Sequence, residues 1–129
     1  MTYANENTIK ITVHAKLIAK PGKVEELLKA LEHWAKETRE EVGCEYSELL
    51  QNIDNPLRFT IVEKYSNYRA FKEHMQMPAI RNFIDKLKPQ LVDETEVTFH
   101  ATRIDCIGSI SQPHIEALSF REDLMDRKS

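Results

Sequence analysis

Two side chains in the stretch EKYSNYRAFKEH, from Glu63 to His74, could carry out acid-base chemistry. An imidazole exchanges a proton near neutral pH because its ordinary pKa is about 6.5. His74 follows Ala70 by four residues and Phe71 by three, so a helix would place all three side chains on one apolar face. His74 is therefore a candidate general base. The alternative is a histidine that ends a helix and binds its last carbonyl groups.

Glu63 is the more unusual residue, because it shares strand parity with the aromatic residues Phe59 and Tyr65. A carboxylate that points toward an apolar face costs free energy unless a partner binds it. We expect His74, Tyr65 or Tyr46 to be that partner. Glu63 and His74 are therefore the two predicted catalytic residues. Alternatively, Glu63 reaches water at a fraying strand end or ties down the helix that follows.

Several aromatic side chains could line a flat apolar pocket suited to an aromatic guest. The predicted substrate-binding residues are Tyr46, Phe59, Tyr65, Phe71 and Phe83. Most aromatic residues at such spacings pack in the core, which is the alternative for each of them.

The elements that must position these residues follow from changes in hydrophobic period. TIKITVHAKLIAK alternates apolar and polar residues as a half-buried strand does. The segment PGKVEELLKALEHWAKETREEVG has an apolar stripe of helical period that includes Val42. The predicted helix begins at Pro21 and ends at Gly43. CEYSELLQ and RFTIVEKY read as a hairpin joined by NIDNP.

A second helix is predicted after Ser66 or Asn67, either of which can cap it. A further helical piece opens at Pro78 and ends before Pro89, and TEVTFHATRI is the last strand. The order β-α-β-β-α-β predicts an α+β, ferredoxin-like domain over residues 1–104, with helices on one face of a four-stranded antiparallel sheet in the order 4-1-3-2. Residues 105–129 form an extension, either a surface helix with a frayed end or an arm that reaches a second subunit.

Composition excludes several function classes. The 129 residues suit one domain, and a net charge of -3 provides no basic field for nucleic acid or an anionic membrane. No apolar run approaches the roughly 20 residues that span a bilayer, so we expect a cytoplasmic protein. Cys44 and Cys106 show no metal-ligand spacing and are expected to be reduced, and the three glycines form no nucleotide-binding motif. We predict no cofactor and no metal.

Three motifs carry a resemblance to a known family: a Pro-Gly pair that opens the first helix, the turn EEVGC before the second strand, and a Glu-x-aromatic strand end before a helix with histidine. In this order they resemble the antibiotic biosynthesis monooxygenase domain of the dimeric α+β barrel superfamily, over about residues 8–104. The resemblance implies a homodimer in which two sheets face each other as a barrel. It also implies a pocket between sheet and helices for a small aromatic or carbonyl compound.

Members of this family differ widely in function, so the likeness alone does not choose the reaction. They include cofactor-free oxygenases of quinols and anthrones, haem-degrading enzymes and an isomerase of a phosphorylated signal. Many relatives carry a second histidine after the proline that is Pro78 here, and this chain has Ala79 instead. This difference argues against a haem-degrading enzyme. Tyr65 stands where tryptophan is common.

The leading hypothesis is a cofactor-independent monooxygenase that uses dioxygen on a quinol, phenol or related enolisable compound. His74 would take the proton, Glu63 would orient it, and Tyr65 and Tyr46 would hold substrate oxygen atoms. The alternatives are an isomerase or lyase of a small carbonyl metabolite and a non-catalytic ligand-binding or interaction module.

His14 and His100 form a second constellation, on the face of the sheet away from the helices. A metal site needs a third ligand, which the sequence does not show. A polar, partly wet interior of the dimeric barrel is the predicted role of this pair.

Overall fold

One antiparallel sheet with helices on a single face makes up the described part of the chain. The computed structural model describes residues 9–104, so residues 1–8 of the predicted domain and the whole predicted extension, residues 105–129, lie outside the described residues. No helix within the described range is long and apolar enough to cross a membrane.

The sheet has the predicted ferredoxin-like topology. Its strands are β1 (Ile11–Ala19), β2 (Cys44–Gln51), β3 (Arg58–Tyr65) and β4 (Val92–Ala101), in the spatial order β2-β3-β1-β4. All three pairings are antiparallel. The central strand β1 buries alternate residues, as its period of two predicts.

The helical layer consists of α1 (Val24–Arg39), α2 (Tyr68–Gln76), α3 (Pro78–Asn82) and α4 (Lys88–Leu91), with a π-helical turn (Phe83–Leu87) between α3 and α4. Asn67 is the cap of α2, since its side chain accepts a hydrogen bond from the backbone N–H of Ala70. Apolar side chains of the sheet and of these helices form the core between the two layers.

The prediction that the first helix runs to Gly43 is wrong. The helix ends at Arg39, and Val42 is fully exposed rather than part of the buried stripe. Gly43 serves a different purpose from a helix cap, because it lies against α2. A Cβ atom added there would collide with the Cβ of Ala70.

Gly43→Ala is therefore expected to lower the free energy of unfolding by about 1 to 3 kcal/mol, the usual cost of overpacking. Urea denaturation followed by circular dichroism measures this change. In an Ala70→Gly background, Gly43→Ala should lower the free energy of unfolding by less than it does in the wild-type protein, because the colliding methyl group of Ala70 is absent. Strictly additive effects would contradict the proposed contact.

The last helix and strand also differ from the prediction. The helical segment continues past Pro89 to Leu91, because Pro89 lies in the first turn of α4, where a missing N–H costs little. Strand β4 begins at Val92, three residues before the predicted start, and Val92 pairs with Ala19 beyond an irregularity in β1. The helical layer thus leads directly into the sheet.

Candidate active site

A cavity of about 670 Å³ lies between the sheet and the helical layer. This volume is in the range of small-molecule sites. Apolar side chains of β1, β3 and β4 form one wall, and α1, α2 and the helical segment after it form the other. The lining residues include Val13, Ala15, Leu17, Ile61, Val97 and Phe99 from the sheet, and Trp34, Tyr68, Phe71, His74, Met75, Phe83 and Ile84 from the helical layer.

Glu63 is the buried carboxylate of this cavity, with 3% of its surface exposed. The alternation of β3 turns it toward the helices, as the parity argument predicts. Its Oε1 accepts a hydrogen bond from the Tyr65 hydroxyl at 2.7 Å, and its Oε2 accepts one from Trp34 Nε1 at 2.7 Å. The hydroxyl of Ser47 is a weaker donor to Oε2 at 3.4 Å. Glu63 is thus neither exposed nor unpaired.

His74 is buried at 1% exposure, with its ring turned into the molecule. Its Nδ1 lies 2.9 Å from Oε2 and 3.2 Å from Oε1 of Glu41. Its Nε2 lies 3.7 Å from Oε1 of Glu63, which is beyond hydrogen-bond distance, and has no hydrogen-bond partner among the described residues. The two predicted catalytic residues therefore face each other without a direct hydrogen bond.

Three aromatic rings surround the imidazole. Trp34 and Tyr65 have ring centroids 5.3 and 5.2 Å from that of His74, and Phe71 lies 6.4 Å away in a stacked arrangement. Such rings pack against the imidazole and fix its orientation. The position of His74 in the cavity wall is therefore set by its aromatic neighbours and by Glu41.

Burial shifts the pKa values of His74, Glu41 and Tyr65 in the directions that favour their uncharged forms. Burial lowers the pKa of His74, although the nearby Glu63 carboxylate acts in the opposite direction. Burial, with a contribution from Glu37, raises the pKa of Glu41 to about 7. Burial and the Glu63 carboxylate raise the pKa of Tyr65, so its hydroxyl remains a hydrogen-bond donor. His74 is consequently neutral, and able to accept a proton, at physiological pH.

The predicted substrate-binding residues occupy three different environments. Phe71 and Phe83 line the cavity. Tyr65 and Phe59 are buried at 0% and 2% exposure, Tyr65 holding Glu63 and Phe59 packing in the core, and neither lines the cavity. Tyr46 is 46% exposed on β2 and donates its hydroxyl hydrogen bond to Glu48, so it is not a partner of Glu63. The register of β2 points Tyr46 to the other face of the sheet, where the cavity does not extend.

Trp34 and Glu41 contact the predicted catalytic pair and were not predicted as site residues. Trp34 follows Leu31 by three residues and Leu27 by seven, so the helical stripe of α1 does carry a signal for its position. Glu41 lies in the connection after α1, where no period applies. Only the packing of this connection against α2 brings Glu41 to His74.

The histidine pair on the other face of the sheet is close together. His14 pairs with Thr98 across β1 and β4, and the His14 and His100 ring centroids are 4.6 Å apart. Nε2 of His100 lies 3.0 Å from the Thr98 hydroxyl. No group of three side chains able to hold a metal ion occurs within residues 9–104.

Comparison with solved structures finds close matches over most of the chain. A protein from Shewanella oneidensis is 35% identical, with a TM-score of 0.71 over 74% of this chain and 93% of that one. A conserved protein from Methanosarcina mazei is 26% identical, with a TM-score of 0.66 over 74% and 94%. A candidate antibiotic biosynthesis monooxygenase from Deinococcus radiodurans is 25% identical, with a TM-score of 0.69 over 78% and 99%.

Comparison with curated proteins finds no match. Among protein families, the model of the antibiotic biosynthesis monooxygenases matches residues 10–86. This range begins at the edge of β1 and ends within the π-helical turn, so it contains Glu41, Glu63 and His74. The fold, the sequence match and the solved relatives agree, and this chain belongs to the antibiotic biosynthesis monooxygenase family.

Proposed function

We propose that this protein is a monooxygenase that needs no cofactor and that acts on a quinol, phenol or related enolisable aromatic compound. One observation carries the proposal. The buried imidazole of His74 lies in the wall of an apolar cavity, is held at Nδ1 by Glu41, and has no hydrogen-bond partner for Nε2 within the described residues. An unpaired buried nitrogen beside a carboxylate is a suitable base for a bound hydroxyl group.

Proton transfer is the first step of the proposed reaction. Nε2 of His74 takes the proton of a phenolic or enolic hydroxyl, which leaves an aryloxide or enolate in the cavity. The Glu63 carboxylate, whose Oε1 is 3.7 Å from Nε2, stabilises the imidazolium that forms. Glu41 does the same at Nδ1 through the 2.9 Å contact. The apolar walls exclude water and thereby strengthen both electrostatic interactions.

Reaction with dioxygen is the second step, and the substrate anion supplies the electrons for it. The anion transfers one electron to dioxygen, and the resulting substrate radical and superoxide combine to form a C–O bond. The His74 imidazolium returns its proton to the peroxide, and loss of the C–H proton with cleavage of the O–O bond then leaves a new carbonyl group. Both protons leave in the one water molecule that is released. One oxygen atom therefore enters the product and the other becomes water. The protein contributes the base, the orientation of the substrate and the exclusion of water.

Oxygen uptake tests the proposal. Purified protein, verified to be free of metal and flavin, is mixed with hydroquinones and anthrones in an oxygen electrode. We expect one dioxygen consumed per substrate, and one labelled oxygen atom in the product when ¹⁸O₂ is used. No oxygen uptake with any compound, or release of hydrogen peroxide in place of oxygen incorporation, would contradict the proposal. Turnover of the same compounds without dioxygen would favour an isomerase.

The Glu41 carboxyl is expected to determine the pH dependence of this activity. Below about pH 7 the carboxyl is protonated because its pKa is raised, and it donates to Nδ1. The imidazole proton then lies on Nε2, which cannot act as a base. Above about pH 7 the ionised Glu41 accepts from Nδ1–H, and Nε2 has a free lone pair. The value of kcat/KM should therefore rise with pH and level off above this value.

Glu41→Gln tests this assignment, because its amide oxygen can accept from Nδ1–H at every pH. The rise near pH 7 should disappear, and the activity should extend to lower pH, where His74 itself becomes protonated. The maximum should fall about tenfold, since a neutral amide stabilises the imidazolium less than a carboxylate does. Glu40→Gln, an exposed neighbour, is the control and should keep the wild-type profile. A Glu41→Gln profile that keeps its limb near pH 7 would contradict the assignment.

We also propose that the protein is a homodimer, as the family resemblance implies. In the described residues the helices cover only one face of the sheet, and the other face presents His14, His100 and Thr98. A second copy packed on that face would enclose these polar groups. Light scattering coupled to size exclusion should give twice the 15.0 kDa chain mass. A mass of one chain at micromolar concentration would contradict the dimer.

A further inference from the structure

Three cationic side chains line the cavity in addition to the residues described above. They are Lys72 of α2, Arg81 of α3 and Lys88 of α4, and all three come from the helical layer. Glu63 is the one carboxylate among the described lining residues. The cavity wall therefore carries more positive than negative groups, whereas the chain as a whole has a net charge of -3.

The three cations lie partly buried at the cavity wall, and contacts with other residues hold Lys72 and Arg81 there. Each of the three side chains is half-buried. Lys86, in the π-helical turn two residues before Lys88, is exposed and does not line the cavity. The Lys72 ammonium lies 5.0 Å from the ring centroid of Tyr68, another lining residue, so a cation-π contact keeps it at the wall. Arg81 is likewise fixed, through Nη2 at 2.9 Å from Oδ1 of Asp85.

The Arg81–Asp85 pair does not cancel the positive character of the wall. Both side chains of the pair are about half exposed, at 44% and 56%, and an exposed pair of this kind interacts weakly. The guanidinium has five N–H donors, so it can bind a ligand oxyanion while it retains Asp85. An apolar cavity also concentrates the field of the cations at its wall, because its walls have a low dielectric constant.

The buried end of the cavity holds the Glu63 side chain rather than cationic groups. Glu63 and His74 face each other there, and Glu63 already accepts hydrogen bonds from Trp34 and Tyr65. An anionic group of the ligand would be repelled by Glu63 and attracted by the cations of the helical layer. A ligand with one ionised group would therefore orient with that group toward the cations, which leaves a neutral hydroxyl for His74.

We propose that the substrate is an aromatic compound with an oxyanion group, such as a carboxylate, in addition to its reacting hydroxyl. Lys72, Arg81 and Lys88 bind the oxyanion and so set the orientation of the ring in the cavity. The identity of the reacting hydroxyl rests on the proposed function, but the oxyanion subsite does not require turnover. Binding and reaction can therefore be tested separately.

Fluorescence titration without dioxygen tests the subsite with two probes that differ in charge, 6-hydroxy-2-naphthoate and its methyl ester. At low ionic strength the acid should bind about tenfold more tightly than the ester, which corresponds to a difference of about 1.4 kcal/mol. Added salt should reduce this ratio, because the subsite acts through charge. Arg81→Gln and Lys88→Gln should each weaken binding of the acid about threefold and leave binding of the ester unchanged. Lys86→Gln, the matched control, should change neither.

Equal affinity of the acid and the ester, or no binding of either, would overturn the proposal. So would a loss of acid binding in Lys86→Gln as large as in Lys88→Gln, because the effect would then reflect the overall charge of the surface. A preference for the acid in a protein that consumes no oxygen would retain the subsite and remove the monooxygenase. Oxygen uptake with neutral phenols, together with no preference for binding the acid, would retain the monooxygenase and remove the oxyanion subsite.

Discussion

His74→Gln is expected to lower kcat/KM for oxygen uptake by about 10² to 10⁴-fold, the usual contribution of a positioned general base. The imidazole nitrogen Nε2 is the base in the proposed reaction, and the glutamine amide cannot accept a proton at neutral pH. Glutamine is chosen because its terminal amide reaches the position of Nε2, so the variant removes the basic nitrogen and keeps a polar side chain at the cavity wall. A fall of this size would make His74 the largest single contributor to the reaction.

The kinetic constants separate chemistry from binding in this experiment. Loss of the base should lower kcat and leave the anaerobic affinity for a naphthol probe within about threefold of wild type, because the ring still fits the apolar walls. His33→Gln, on the exposed face of α1, is the matched control and should retain full activity. Thermal unfolding of both variants shows whether the fold is intact. A folded His74→Gln protein with wild-type kcat would exclude His74 as the base.

Glu63→Ala is expected to lower the free energy of unfolding by about 2 to 4 kcal/mol, as well as the activity. The side chain accepts hydrogen bonds from Trp34 Nε1 and from the Tyr65 hydroxyl, both at 2.7 Å. Removing it leaves both donors without this partner in a buried part of the molecule. The loss exceeds that of an ordinary surface substitution because each unsatisfied buried donor carries its full desolvation cost.

A double-mutant cycle with Trp34→Phe assigns part of this loss to one hydrogen bond. Phenylalanine keeps most of the ring but has no N–H to leave unsatisfied. The double variant should therefore be about 1 to 2 kcal/mol more stable than the sum of the single effects predicts. Glu32→Ala, which removes an exposed carboxylate of α1, is the control and should change stability by less than about 0.5 kcal/mol. Additive effects of Glu63→Ala and Trp34→Phe would contradict the bond.

The strand periods were sufficient to predict most of the fold. Alternation in β1 and β3 correctly predicted which residues face the helices, including the inward direction of Glu63. The bounds of β2 and β3 agree with the two predicted hairpin strands. The end of α1 was missed because Gly43 suggested a helix cap, although its actual role is a close contact with Ala70. A sequence carries no local signal that separates these two roles of glycine.

The candidate site, like the fold, was predicted only in part from the sequence. Sequence alone determined that a carboxylate and a histidine lie on inward faces, because strand and helix periods are local properties of the chain. Only the tertiary structure decided their partners, Trp34 and Tyr65 for Glu63 and Glu41 for His74. It also decided that Tyr46 faces away, and that the nitrogen and oxygen of the His74–Glu63 pair are 3.7 Å apart. Contacts between residues distant in sequence depend on how whole elements pack, and a period of two or 3.6 residues contains no information on that packing.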